Sequence, residues 1–173
     1  MILMIDNYDS FTYNIVSYLK ILKEEVIVKK NDEINLEEIK QLNPEIIVIS
    51  PGPKTPKESK ISLEIFKKLK GEYPILGICL GHQALAYSMG LDIIKGPRPM
   101  HGKMTEINHD GKGIFENIPN PVKVMRYHSL IVDDSKFENG KYGDMIITSK
   151  TFDGIIMGFR DSKNKIETVQ FHP

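Results

Sequence analysis

Apolar residues fall in short blocks along the first half of the chain and in looser alternation along the second. Ile2–Ile5 is an apolar block of strand length. Behind it, Ser10 is placed to cap a helix whose apolar face runs Phe11, Ile15, Leu19 and Leu22. Val26–Val28 predicts a second strand, Leu36–Leu42 a short helix, and the run from Pro44 to Ile49 a third, fully buried strand. Ser50–Pro56 is a proline-rich loop. Residues 59–69 then repeat apolar positions at helical spacing, with Ile61, Ile65, Phe66 and Leu69 on one face. Ile75–Ile78 is a further strand, and 81–89 a helix. Strands alternating with helices predict a parallel sheet covered on both faces.

Beyond about residue 91 the pattern changes to short β-rich segments. Asp110-Gly111, Asn139-Gly140 and Asp153-Gly154 are turn signals between them. Tyr142–Ser149 and Ile155–Phe159 flank Asp153-Gly154 as hairpin arms, and Lys165–Phe171 is a last strand. No linker-like stretch divides the halves. The expectation is one α/β domain of flavodoxin-like kind, mostly parallel, with a β-rich second half.

Composition narrows the function classes. The 173 residues suit one domain with a sizeable core. Lys+Arg and Asp+Glu each number 23, so the zero net charge argues against a nucleic-acid or anionic-membrane surface. One cysteine cannot form an internal disulfide and offers no cysteine-rich zinc framework, which points to a reducing, cytoplasmic setting. The N-terminus lacks a basic region followed by an apolar core, so no signal peptide is expected, and no apolar run approaches the ~18 residues of a membrane span.

That single cysteine carries the candidate chemistry. Gly77-Ile78-Cys79-Leu80-Gly81 lies between the predicted strand and helix. Strand, Gly-x-Cys-x-Gly, helix is the thiol form of a nucleophile elbow. The glycines let neighbouring backbone pass, and a sulfur at a helix N-terminus is expected to be favoured as thiolate. In a parallel sheet, ligands gather at the C-terminal strand ends. The loops Asp6–Asp9, Ser50–Pro56 and the Cys79 elbow all emerge there. The N–H groups of Gly52 and Leu80 are placed to form a two-donor oxyanion hole.

Five histidines compete as base. His82, one helical turn from Cys79, reads as a hydrogen-bonded core residue, and His101 and His109 as surface groups. His128 and His172 are both plausible partners, and chain position does not choose between them.

Taken together, these residues resemble the class I, triad-type glutamine amidotransferases. Within that family the chain is similar to the component II subunits of anthranilate and aminodeoxychorismate (p-aminobenzoate) synthases. Asp6-Asn-Tyr-Asp-Ser-Phe-Thr-Tyr-Asn14, Ser50-Pro-Gly-Pro53 and Gly77-Ile-Cys-Leu-Gly-His-Gln83 carry the likeness. Met100-His-Gly-Lys103, Arg126-Tyr-His-Ser-Leu130 and Val169-Gln-Phe-His-Pro173 complete it.

The resemblance implies that Cys79 is the nucleophile and His172 the general base and acid. It implies that Gly52 and Leu80 hold the oxyanion, that Gln83, Ser129 and Leu130 contact L-glutamine, and that His128 is structural. Ammonia would pass to a chorismate-binding synthase subunit, component I, which uses magnesium; neither cofactor nor metal is implied on this chain. Two alternatives stand beside this reading: a binding subunit with impaired catalysis, and an amidotransferase with another acceptor such as carbamoyl phosphate.

Two departures from the family pattern stand out. Lys54 occupies a usual glycine position, where it adds a side chain beside the glutamine pocket and is expected to alter the loop. The family's Phe-His-Pro is followed by a glutamate, the third triad member, whereas this sequence reaches Pro173. The expectation is therefore a single domain, 1–173, without that tail and with a slow His172.

Overall fold

A computed structural model describes residues 1–173. The first half alternates as its pattern predicts: β1 (Ile2–Asp6), α1 (Thr12–Ile21), β2 (Val26–Lys30), α2 (Leu36–Leu42), β3 (Ile46–Ile49), α3 (Lys60–Lys68), β4 (Ile75–Ile78) and α4 (Leu80–Ser88). The second half supplies β5 (Ile93–Lys95), β6 (Lys103–His109), β7 (Val122–Arg126), β8 (Leu130–Val132), β9 (Lys141–Tyr142), β10 (Met145–Thr151), β11 (Ile156–Asp161) and β12 (Ile166–Val169). The main sheet has ten strands in the order β2-β1-β3-β4-β12-β11-β10-β6-β7, with β9 on β10. Strands β2, β1, β3, β4 and β12 run parallel, and the rest are antiparallel.

Strand alternation explains the two cores. Leu3 and Ile5 of β1 face one side, with Ile47, Ile49, Ile39, Ile65, Phe66 and Leu85. Ile2 and Met4 face the other, with Val48, Ile78, Val169 and the α1 residues Ile15 and Val16. The last strand returns to the middle of the sheet, where Val169 pairs with Ile78 and its carbonyl accepts from the Cys79 N–H at 2.8 Å. That register carries Gln170 and His172 to the sheet edge bearing the elbow. No helix is long and apolar enough to cross a membrane.

Several local expectations need correction. Ser10 does not cap α1; the helix begins at Thr12, where Asp9 Oδ2 accepts from the Phe11 N–H at 2.9 Å and Asp6 Oδ1 from Thr12 Oγ1 at 3.0 Å. The buried stripe of α1 is Thr12, Ile15 and Val16, and Leu22 is 70 % exposed because it lies past the helix end. The predicted arm 142–149 is broken at Gly143, which takes φ +60° between β9 and β10. Asp153-Gly154 does join the antiparallel arms β10 and β11.

Candidate active site

Three loops meet at the C-terminal edge of the parallel strands, held by buried polar contacts. After β1, Asn7 donates from its backbone to Ser50 Oγ at 2.9 Å and from Nδ2 to the Ser50 carbonyl at 3.0 Å. Its Oδ1 accepts from Ser59 Oγ at 2.6 Å and from Asn31 Nδ2 at 3.1 Å. Asn7 is 2 % exposed, and its backbone N–H, Oδ1 and Nδ2 each have a partner, so it fixes the loop after β3 against the loop after β1. Gly52 sits on that junction. A β-carbon there would fall 2.6 Å from Leu80 Cδ2 and 2.7 Å from Asn7 Cβ, so only glycine brings this loop against the start of α4.

Cys79 has φ +53° and ψ −99°, outside the regions open to an L-residue without strain. The tight turn that requires it is allowed by Gly77, where a β-carbon would lie 2.8 Å from the backbone of Gly81. The expected elbow is therefore present, with Leu80 opening α4.

The state of the sulfur differs from the sequence expectation. Cys79 is 5 % exposed. Burial, aided by the negative charge of Asp9, pushes its thiol up to about 12, against the smaller opposing pull of the Leu80 N–H and the Gln170 amide. A helix terminus is worth about 0.3–1 kcal/mol. Each tenfold change in ionisation corresponds to about 1.4 kcal/mol. Desolvation therefore wins, and the unliganded protein holds a thiol.

A cavity of about 170 Å³ opens beside this sulfur, lined by Gly52, Pro53, Lys54, Cys79, Gln83, Tyr127, His128, Ser129 and Leu130. It brings together all the residues expected for oxyanion and substrate contacts except Leu80, whose side chain packs against Gly52 and whose backbone N–H bears on Cys79 Sγ. Gln83 Nε2 is committed to the protein, donating to the Leu130 carbonyl at 3.1 Å and to Gln170 Oε1 at 3.2 Å, so its oxygen is what remains for a ligand.

His172 stands apart from that cavity. It lines a neighbouring one of about 160 Å³ with Phe11, Asn14, Met125 and Pro173, and Tyr127 belongs to both walls. Its ring sits edge-on between Phe11 (4.9 Å) and Tyr127 (5.0 Å), and its backbone N–H donates to the Met125 carbonyl at 2.9 Å. Nδ1 is buried without a hydrogen-bond partner. Burial lowers the imidazole from its ordinary range, partly offset by the charge of Asp9. No hydrogen bond joins His172 to Cys79; their link in this state is Asp9, whose field reaches both.

The other histidines sort by their partners. His82 is wholly buried, bonds Thr168 Oγ1 through Nδ1 at 2.8 Å and stacks on Phe159. Burial depresses it to about 3, as a core residue requires. His128 accepts at Nε2 from Arg126 Nε at 3.0 Å, so its Nδ1 carries the proton and donates to the Leu130 carbonyl at 2.9 Å. Burial holds it near 4, and both nitrogens are occupied, which fits a structural role. His109 is not the surface group its polar neighbours suggested. It is 8 % exposed, stacks on Phe115, accepts from the Gly111 N–H and donates to the Pro119 carbonyl.

Lys54 gives the loop departure a physical meaning. It adopts φ +63°, a left-handed conformation that glycine takes freely and lysine does not. The turn is continued by Thr55, whose N–H and hydroxyl both donate to Glu58 Oε2. Lys54→Gly is expected to stabilise the protein by about 0.5–1 kcal/mol, raising Tm by about 1–4 °C in a thermal melt. A lower Tm would mean that the exposed lysine side chain offsets its own backbone strain.

The chain is similar to known proteins over its whole length. A family model described as glutamine amidotransferase class-I matches residues 3–173. The chain is 51 % identical over 173 residues to the aminodeoxychorismate/anthranilate synthase component 2 of Bacillus subtilis (strain 168), covering 100 % of this chain and 87 % of that protein. It is 50 % identical over 174 residues to the anthranilate synthase component 2 of Cyanophora paradoxa, covering 100 % and 90 %. In fold it resembles the crystal structure of a glutamine amidotransferase from Thermotoga maritima, with a TM-score of 0.75 at 20 % identity over 99 % of this chain and 74 % of that one.

Proposed function

This chain belongs to the class-I glutamine amidotransferase family, and we propose that it is the glutamine-hydrolysing component of a chorismate-aminating synthase, making anthranilate or aminodeoxychorismate. The observation that carries the reading is the strained Cys79 opening onto a cavity bounded by Gly52, Gln83, Ser129 and Leu130. Family membership supplies glutamine as the substrate that fits it, and the 173 residues act as one amidotransferase domain.

The reaction follows from these groups. Cys79 Sγ attacks the side-chain carboxamide carbon of glutamine, forming the carbon–sulfur bond as its proton passes to His172. The backbone N–H groups of Gly52 and Leu80 hold the oxyanion. His172 returns the proton to the nitrogen as the C–N bond breaks, releasing ammonia and leaving a γ-glutamyl thioester. Water, deprotonated by His172, cleaves the thioester to glutamate and restores the thiol. Gln83 Oε1 and the Ser129–Leu130 segment orient the substrate. Ammonia passes to the chorismate-binding subunit, and the whole sequence takes place in the cytoplasm.

The resting geometry bears on regulation. Cys79 is buried as a thiol and has no bond to His172, an arrangement suited to low turnover until a ligand and partner tighten the site. Glutaminase rates are therefore expected to rise about 10-fold or more when the chain is saturated with the chorismate-binding subunit. Steady-state ammonia release with and without that subunit checks this. An unchanged kcat/KM with a bound partner rejects activation, and no glutamine hydrolysis even in the complex rejects the functional reading itself.

A further inference from the structure

A buried chain of polar groups runs from Arg126 to the nucleophile and has one possible polarity. Arg126 Nε can only donate, and it donates to His128 Nε2 at 3.0 Å. His128 Nδ1 must then carry a hydrogen, which goes to the Leu130 carbonyl at 2.9 Å. That carbonyl can only accept, and it also takes a hydrogen from Gln83 Nε2 at 3.1 Å. The second hydrogen of Gln83 Nε2 goes to Gln170 Oε1 at 3.2 Å. Gln170 is thereby turned so that its nitrogen, not its oxygen, faces Cys79 Sγ at 3.6 Å. Amide orientation is ordinarily ambiguous, but here an obligate donor and an obligate acceptor fix it.

Gln170 is 0 % exposed, and its backbone N–H is spent on the Met157 carbonyl. A buried carboxamide is costly unless its groups are paired. Its side chain reaches no solvent, and the partners it has are the sulfur and Gln83.

We propose that Gln170 is a positioning residue for the nucleophile, donating an N–H to Cys79 Sγ while its oxygen holds Gln83 at the wall of the glutamine cavity. This rests on the reading of Cys79 as the nucleophile and goes beyond it. The donated N–H fits a thiolate and cannot accept the thiol hydrogen, so the S–H points away from Gln170. The same side chain couples the sulfur to the residue whose oxygen is left for substrate. Two other groups and burial bear on the sulfur: burial and the Asp9 carboxylate work against Gln170, and the Leu80 N–H works with it.

The test reads the thiol directly and needs no turnover. Because Cys79 is the only cysteine, its alkylation by iodoacetamide can be followed in the intact chain at pH 8. Gln170→Met, close in volume but without donor or acceptor, is expected to slow alkylation about 10-fold or more, the range for losing a hydrogen bond to a charged group. Gln170→Glu places an anion at the sulfur and is expected to slow it further. A merely structural role predicts the opposite sign, since loosening the packing exposes a buried thiol and speeds its alkylation. Rates equal to or above wild type in a folded Gln170→Met overturn the proposal.

If the variants do not fold, the side-chain amide protons of Gln170 in the unsubstituted protein decide. They are expected to shift upfield in Cys79→Ala, and unchanged shifts overturn the proposal. Loss of glutamine hydrolysis is not read in either arm, so this outcome is separate from that of the glutaminase assay.

Discussion

Replacing Cys79 with serine is expected to lower glutamine-dependent amination by the complex about 10³-fold or more, while amination from added ammonia stays near wild type. The strained backbone at Cys79 presents one side-chain atom to the cavity bounded by Gly52 and Gln83. Serine puts a hydroxyl at that position. A hydroxyl is a much weaker acid than a thiol and needs a well-placed base, whereas the resting site joins no base to residue 79 by a hydrogen bond. In the proposed function the chorismate chemistry belongs to the partner subunit, so free ammonia is expected to bypass the defect. Glutamine- and ammonia-dependent rates measured on the same complex separate the two. Equal loss of both would indicate failed assembly, and retained glutamine use would remove Cys79 from the mechanism.

The elbow was legible from sequence because its cause is local. Gly77 and Gly81 are needed where backbones nearly touch, and that need shows as residue identity at fixed spacing around Cys79. The α3 face was legible for the same reason: Ile61, Ile65, Phe66 and Leu69 recur with the helical period and are all buried. The place of β12 was not. Its apolar pattern predicts a strand, but nothing within it says that it inserts between β4 and β11. That insertion delivers Gln170 and His172 to the elbow.

Buried polar groups were the least legible. Asn7, His109 and Gln170 have the residue types of a surface, and their burial depends on partners distant in sequence: Ser50 and Ser59 for Asn7, Pro119 for His109, Cys79 and Gln83 for Gln170. Gln170 lies within the Val169–Pro173 motif, yet spacing does not reveal which way an amide faces. The protonation of the thiol departs from the sequence expectation for a related reason. The helix end is visible in sequence, but the depth of burial that outweighs it is a property of the packed fold.

His172→Ala is expected to lower kcat for glutamine hydrolysis by about 10²–10⁴-fold, with Tm changed little. The His172 side chain makes few contacts that the fold depends on. Its main fold-building contact is a backbone one, the N–H to Met125, which alanine keeps. Its ring rests against Phe11 and Tyr127, and its Nδ1 has no partner to lose. By contrast, His82 is wholly buried, bonded to Thr168 and stacked on Phe159, so His82→Ala should act through stability first. The pair of variants is therefore diagnostic. Thermal melts and single-turnover thioester formation on each should show a folded, slow His172→Ala beside a destabilised His82→Ala. If His172→Ala loses stability in step with activity, the imidazole is a packing element, and the proton must travel through another group. His128 does not fill that role in this state, because both of its ring nitrogens are held by Arg126 and Leu130. Asp9, the half-buried carboxylate whose charge bears on both Cys79 and His172, is then the next group to substitute.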